Sequence, residues 1–594
     1  MSASRRGADW LVQDTSPADV FTPERLSEEH RLIAKTAAEF VTNEVAPALA
    51  ELEKKNWTVA RHLVARAGEL GLIGVDVPED VGGIGLDKAA AVIVGEAVGE
   101  AASFATTFGA QTGLAIIPIL CFGTPAQQQK YLPRIVSGEL IGAYCLSESG
   151  SGSDALAAHA KAVKQADGSW LLNGEKMWIT NGGFADIFIV FAKVDGEHFS
   201  AFVVERGFPG VANGKEEHKM GLHGSSTTPV VLQDAKVPAD NLLGEIGKGH
   251  KIAFNVLNYG RFKLAAMCTG GARGTIGEAT QYALGRRQFG QPIATFGAIR
   301  HKLAEMSIRL YAVESMLFRT TGLIDQMIAA KPSEAPGGAQ EGRVVAAALE
   351  EFALEASVLK VASSEMVDFV VDENVQIHGG NGFVADYPAE RRYRDARVNR
   401  IFEGTNEINR LLIPGILIKR GTKGGLPLIA AAKAVRDELM TVAPPEAAGT
   451  GVLEAETRVA AALRKTVLVA VGLAMETWGE SLQQEQEALM SLSDLMIEAF
   501  SAESATLRAA HLVASSSPAA TLHVDAATVI CHDAGLRAEA IARTLLGSML
   551  TGDAQRTSLA GLRRVLKVPP SNTVAARRRI ADAITAKRGY PFSQ

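Results

Sequence analysis

The sequence predicts a mainly helical α+β protein in which a small antiparallel β-domain lies between helical regions. Two observations carry that prediction. Helical periodicity, with apolar residues three and four apart, runs through most of the 594 residues. Between about Ala143 and Val237 it gives way to short β-rich runs such as Trp170-Leu171-Leu172 and Ile187-Phe188-Ile189-Val190-Phe191. Asp167-Gly168, Asn173-Gly174 and Asp195-Gly196 punctuate those runs, and such dipeptides favour hairpins. A chain of this length exceeds one core, and the changes of texture divide it. An extension over 1–26 precedes a helical domain over 27–140, a central β-domain over 141–245, a second helical domain over 246–420 and an additional C-terminal helical domain over 421–594.

Each element has a local reason. Ser27, followed by Glu28 and Glu29, reads as a helix N-cap with acids in the first turn, and Ile33, Ala37, Phe40 and Val41 give that helix an apolar face. The uncharged run from Ala101 to Gln129 is long enough to span a bilayer. Its glycines, prolines, threonines and Gln111 point instead to a buried helix pair. In the β-domain Asn173-Gly174 is expected to turn a hairpin, with Trp178 on the returning strand. No alternating βαβ pattern appears, which counts against a nicotinamide-binding enzyme, and Gly83-Ile84-Gly85 lacks the preceding strand that a dinucleotide fingerprint needs. Gly421-Thr422-Lys423-Gly424-Gly425 reads as a linker, and Pro444-Pro445 as a break in the last helical region. The basic clusters at Arg563, Arg564 and Lys567, at Arg577 to Arg579 and at Lys587 and Arg588 read as solvated helix faces.

Composition excludes several classes. Hydrophobic residues make up 47% and charged residues 21%, as in ordinary globular proteins, and the net charge of −6 gives no basis for a nucleic-acid partner. Four scattered cysteines without a CxxC pair fit a reducing compartment and no metal site. Arg5 and Arg6 are accompanied by Asp9 and Asp14 and followed by no apolar stretch, so no secretory signal is expected.

Four motifs concentrate the chemistry: Tyr144-Cys-Leu-Ser-Glu-Ser-Gly-Ser-Gly-Ser-Asp154, Gly174-Glu-Lys-Met-Trp-Ile-Thr-Asn181, Gln376-Ile-His-Gly-Gly-Asn-Gly-Phe383 and Ile401-Phe-Glu-Gly-Thr-Asn-Glu-Ile408. The first is a small-residue loop that lets backbone N–H groups approach a flat ring or a phosphate. The third reads as a helix C-terminus capped by Gly379 and Gly380, with His378 as a packing residue. In the fourth, Thr405 is a plausible N-cap for a helix through Ile408 and Leu411, and Gly404 lets backbone approach a ligand. Together with Arg286-Arg-Gln-Phe-Gly290, and in this order, the motifs resemble the acyl-CoA dehydrogenase family over about residues 27–420. The extra C-terminal region makes the chain most similar to the very-long-chain branch.

The resemblance implies roles. FAD is the expected cofactor. Tyr144, Leu146, Ser147, Gly152 and Ser153 would line it, with Trp178, Ile179 and Thr180 beside the flavin ring. Arg286, Gln288, Phe289, Gln376, Gly379 and Gly380 would meet the adenosine-diphosphate half of an FAD bound mainly by a neighbouring subunit, which implies a homo-oligomer. Thr405 and Glu407 complete the cofactor set. Ser153, Asn258, Arg261 and Gly404 would contact the acyl-CoA. Glu403 would take the α-proton while the β-hydride leaves to flavin N5; some branches place the base where this chain has Gly260, which cannot serve. The product would be a trans-2-enoyl-CoA, as in fatty acid β-oxidation, with electron-transfer flavoprotein as acceptor.

In the long-chain branch small residues leave room for the acyl tail; here Ala115 and Pro118 stand in for expected glycines, and a long-chain substrate remains the expectation. The resemblance also implies a bacterial cytoplasmic or mitochondrial matrix location, with a peripheral membrane contact through the C-terminal region. An acyl-CoA oxidase and a scaffold or assembly protein are the alternatives on the same fold.

Overall fold

The computed structural model describes residues 5–330, 338–440 and 451–592; the expected Pro444-Pro445 break lies outside them. Helix Glu28–Phe40 begins at Ser27, whose Oγ accepts from the His30 N–H at 3.1 Å while His30 Nδ1 accepts from the Ser27 N–H at 3.2 Å. The reciprocal pair satisfies two backbone donors that a helix start otherwise leaves open. The apolar segment Ala102–Phe122 has 83% of its most apolar stretch buried inside the protein, so it is core. It is helical throughout but widens to a π-helical turn over Ala110–Ala115.

The central sheet is formed by β1 (Gly142–Cys145), β2 (Lys161–Lys164), β3 (Trp170–Thr180), β4 (Ile187–Val194), β5 (His198–Glu205), β6 (Val211–Asn213), β7 (Thr227–Val237) and β8 (Leu242–Leu243). The order is β6-β7-β3-β2-β4-β5-β8, with β1 also on β4. Asp195-Gly196 turns the β4–β5 hairpin and Asp167-Gly168 lies in the β2–β3 turn.

Two expectations need correction. The sheet is not purely antiparallel, because β1 and β2 both pair with β4 in parallel. Asn173-Gly174 does not turn a hairpin but lies inside β3, where the register with β7 shifts between Leu172 and Gly174. Gly174 has φ 151°, and a Cβ there would lie 2.7 Å from that of Ala160. The dipeptide's backbone freedom is spent on a bulge, which re-aims the strand.

Helices Gly249–Gly285, Gly297–Ala329 and Ala353–His378 pack together beside the sheet. Helix Asn406–Thr422 lies against Ala353–His378; the C-terminal helices Glu454–Trp478, Gln486–Ala514 and Ala520–Met549 pack on one another, and the last two also on Gly297–Ala329. The expected linker at 421–425 is a tight turn: Gly421 is helical and buried, with Leu428 Cδ2 2.8 Å from where its Cβ would be, and Leu428 opens the next helix. Of the C-terminal basic residues, Arg577 pairs with Glu305 and Asp533, and Arg579 with Asp525, while Arg563, Arg564 and Lys567 are exposed.

A buried ionic network joins these layers. Arg508, on Gln486–Ala514, donates to Glu24 at 2.7 Å and to Glu314 at 2.7 Å, and its guanidinium lies 4.4 Å from the centre of the Tyr311 ring. Glu314 also accepts from Tyr590 at 2.9 Å and from Arg273 at 2.6 Å, and Arg273 reaches Glu96 at 3.1 Å. The extension, the long helices and the C-terminal residues therefore meet at one cluster of charges.

Candidate active site

Two cavities meet at Glu403. The larger, of about 1440 Å³, runs between the sheet and the long helices; the smaller, of about 150 Å³, continues from Glu403 between the Ala102–Phe122 segment and helix Gly249–Gly285. Thr106, Ala110, Thr180, Phe402 and Glu403 line both.

From β1 and the loop after it, Tyr144, Leu146, Ser147, Gly152 and Ser153 face the larger cavity. The loop is fixed from behind. Glu148 accepts from the His159 N–H at 2.6 Å and from Lys176 Nζ at 2.6 Å, and Lys176 also donates to the Leu146 carbonyl at 3.1 Å. Lys176 is wholly buried; burial pushes its pKa down, and the Glu148 carboxylate opposes that. The Met177 N–H donates to the Ser147 carbonyl at 3.0 Å, tying the loop to β3.

From β3, Trp178, Ile179 and Thr180 face the same cavity. The second bulge of that strand, between Lys176 and Ile179, contains Trp178 at φ 57° with its side chain 60% exposed. An indole left open on a cavity wall offers a flat apolar face for a ring to rest on. Gly152, on the same cavity, would have no atom within 4 Å of a Cβ, so its backbone is open to a ligand. These residues, not a nucleotide-binding βαβ unit, are what the fold offers to a flavin.

Asn258 and Arg261 enter from helix Gly249–Gly285, and Glu403, Gly404 and Thr405 from the turn that leads into Asn406–Thr422. Thr405 Oγ1 caps that helix, accepting from the Ile408 N–H at 3.3 Å. Glu403 and Gly404 both have left-handed backbone, φ 58° and 79°. Such a conformation is unfavourable for a non-glycine residue and persists only where surroundings impose it. Here Arg261 Nε donates to the Glu403 carbonyl at 3.1 Å, while Asn409 Nδ2 donates to the Gly404 carbonyl at 2.8 Å and to that of Thr405 at 3.1 Å.

The turn aims the Glu403 carboxyl at the cavity junction. Its Oε2 is buried with no hydrogen-bond partner, and a Cβ on Gly260 would lie 2.6 Å from it. Gly260 is therefore the vacancy into which the carboxyl fits. Burial pushes the Glu403 pKa up to about 7, opposed by the charges of Arg261 and Lys360. An unpaired carboxyl poised near neutrality can accept a proton from whatever lies at the junction.

The remaining expected residues gather elsewhere. Arg286, Gln288 and Phe289 are exposed around the short hairpin Arg287–Gln288 and Gln291–Pro292, and Gln376, Gly379 and Gly380 are exposed where Ala353–His378 ends. Tyr282 joins the two groups: its ring stacks on His378 at 3.9 Å and its hydroxyl donates to the His378 carbonyl at 3.1 Å. Neither group lines the two cavities, nor does Glu407, which is exposed on the first turn of Asn406–Thr422. Ala115 and Pro118 also face away from both cavities; Gly109 and Gly113, on the preceding turns, line the smaller one. Gly109 and Gly113 stand at ordinary helical spacing from Ala102, Ala105 and Thr106, and Ala115 lies off that face. Sequence reasoning also passed over Lys176, Glu148 and Asn409, although the first two stand inside the quoted motifs.

Known proteins agree with this architecture along the chain. Sequence models of the acyl-CoA dehydrogenase N-terminal domain match residues 27–139, of the middle domain 143–235 and of the C-terminal domain 247–416. A further C-terminal domain model of that family matches 462–564. A probable acyl-CoA dehydrogenase of Bacillus subtilis (strain 168) is 44% identical over 588 residues, covering 99% of this chain and 98% of that protein. The mitochondrial very long-chain specific acyl-CoA dehydrogenase of Homo sapiens is 42% identical over 356 residues, 58% of this chain and 51% of that one. The crystal structure of an acyl-CoA dehydrogenase complexed with FAD from Bacillus anthracis superposes with a TM-score of 0.97 at 45% identity, covering 99% of this chain and all 100% of the other. With its two cavities, its helical–β–helical order and its additional C-terminal helices, the chain belongs to the acyl-CoA dehydrogenase family.

Proposed function

We propose that the protein catalyses the FAD-dependent α,β-dehydrogenation of a long-chain fatty acyl-CoA, with Glu403 as the base that removes the α-proton. The observation that carries this reading is the Glu403 carboxyl at the junction of the two cavities, its Oε2 buried without a hydrogen-bond partner. FAD, when bound, supplies the acceptor for the β-hydride. Tyr144, Leu146, Ser147, Gly152, Ser153, Trp178 and Thr180 would hold it in the larger cavity, where Asn258, Arg261 and Gly404 remain for the substrate.

The protein's own share of the chemistry is positioning, polarisation and proton transfer. The α-proton of a thioester is weakly acidic, so charge developing on the carbonyl oxygen needs a donor. Among the described residues no hydrogen bond occupies the Glu403 backbone N–H, which leaves it for that oxygen. Glu403 then receives the α-proton on its carboxylate. The smaller cavity, lined by Ala102, Ala105, Gly109, Gly113, Leu264 and Met267 among others, takes the acyl tail and excludes water from the carboxyl. That apolar extension favours a long chain. The exposed Phe289 (91%) and Phe383 (85%), beside the second residue group, favour a homo-oligomer in which another subunit covers them. Electron-transfer flavoprotein is the proposed acceptor.

The test is anaerobic titration of the purified yellow protein with acyl-CoA of graded length. Bleaching of the flavin band by long-chain thioesters is expected; a band untouched at every length would sink the reading. Oxygen uptake matching turnover would instead favour an oxidase.

The pH dependence follows from the carboxyl. Only ionised Glu403 can accept a proton, and its pKa lies at about 7 instead of 4.5. We expect kcat/KM, which reports groups of the free enzyme, to fall about tenfold per pH unit below about 7 and to level above it. A profile flat down to pH 5 would contradict that assignment.

A further inference from the structure

Behind the catalytic turn lies a second buried cation that no motif singles out. Lys360, on helix Ala353–His378, is fully buried, and its Nζ donates to Asn406 Oδ1 at 2.6 Å. Asn406 is the first residue of the helix that follows the Glu403 turn, and it too is buried. Its amide donates to Ser364 Oγ at 3.1 Å and to Glu365 Oε1 at 3.0 Å. Glu365 in turn accepts from Arg410 at 2.6 Å, and Arg410 donates to Asp494, on Gln486–Ala514, at 2.8 Å. Lys360 therefore holds the helix start from one side while an ionic chain from the C-terminal region holds it from the other.

Lys360 lines neither cavity and so touches neither substrate nor cofactor. A buried ammonium is costly unless it meets an opposite charge. Its hydrogen-bond partner is neutral; the carboxylates whose fields favour its charge are Glu403 first and Glu407 after it. Burial pushes the Lys360 pKa down to about 8, which still leaves it mostly charged at neutral pH. The groups whose charges act on Glu403 are few. Arg261 comes from Gly249–Gly285 and Lys360 from Ala353–His378; the Tyr144 hydroxyl, on β1, is kept protonated by burial and by the Glu403 carboxylate and carries no charge.

We propose that Lys360 is a positioning residue for the dehydrogenation: through Asn406 it fixes the Glu403 turn, and its buried charge favours the ionised form of the Glu403 carboxyl. This rests on Glu403 being the base. Arg261 fixes the same turn by its carbonyl, so two cations divide the task; Lys360 supplies field without occupying any of the space that ligands need. Lysine suits this place because a compact ammonium satisfies one carbonyl oxygen, whereas a guanidinium fork would need several acceptors.

The test compares Lys360→Met, Lys360→Gln and Lys360→Arg as flavin-loaded holoenzymes, measuring anaerobic flavin reduction by a long-chain acyl-CoA across pH 5.5–9.5. Loss of an adjacent buried charge moves a carboxyl pKa by about 1 unit or more. The Met and Gln variants should therefore move the acidic limb up by about 1 unit, losing about fivefold in rate at pH 7 and recovering most of it at pH 9. Lys360→Arg, which keeps the charge, should leave the limb within a few tenths of a unit. Gln keeps a donor for Asn406, so it reports the charge even if Met fails to fold. An unshifted acidic limb in folded Gln or Met holoenzyme overturns the proposal, as does a uniform loss at every pH in all three variants. If wild-type enzyme itself reduces no flavin, the failure belongs to the proposed function and not to Lys360.

Discussion

Replacing Glu403 by Gln should lower the rate of flavin reduction by about 10²–10⁴-fold, the range that general base catalysis contributes. The variant keeps the side-chain volume, so the carboxamide occupies the space that Gly260 leaves open, where a Cβ would come within 2.6 Å of the carboxyl oxygen. It should bind flavin and acyl-CoA as the parent does and still fail to bleach. Among the described residues Glu403 is the carboxylate common to both cavities: Glu53, Glu100 and Asp395 line only the smaller and Glu217, Glu350 and Glu351 only the larger. Stopped-flow absorbance at equal flavin loading measures the effect. A variant that reduces its flavin within tenfold of wild type would remove Glu403 from the mechanism.

The second large effect is on stability. Arg508→Met should lower the unfolding free energy by about 3–5 kcal/mol, as expected when one partner of a buried ion pair is removed and its carboxylates stay. Arg508 is wholly buried and faces two of them, Glu24 and Glu314. Its charge holds the Glu24 carboxyl below the usual range despite burial. Glu314 retains Arg273, so Glu24 bears most of the loss. Adding Glu24→Met to Arg508→Met should restore much of it, because an apolar pair leaves no uncompensated charge. Chemical denaturation followed by circular dichroism reads both variants. A single variant within 1 kcal/mol of wild type would mean that the network contributes specificity at most.

Much of this architecture was legible because its signals are local. Ser27 caps its helix, Asp195-Gly196 turns its hairpin and Thr405 caps the catalytic helix by chemistry that spans three or four residues. Asn173-Gly174 was misread for the same reason: the dipeptide reveals backbone freedom, but whether that freedom makes a turn or a bulge depends on Ala160 across the sheet. Lys360 and Asn409 carry no such signal. Each looks like an ordinary polar residue of a helix until the fold brings it to residues 403–406.

The contact between Arg410 and the last helical region has a consequence for how the molecule can change. Ser493 donates its hydroxyl to the Arg410 carbonyl, and Asp494 accepts from the Arg410 guanidinium, seven residues beyond the base. The helix that follows the Glu403 turn is thus braced by the additional C-terminal region. Shortening the chain after Thr422 would remove that brace and the helix Gln486–Ala514 that packs on Asn406–Thr422. Substitutions along Gln486–Ala514 can accordingly alter turnover without touching the cavities, because the placement of the base is shared with helices outside them.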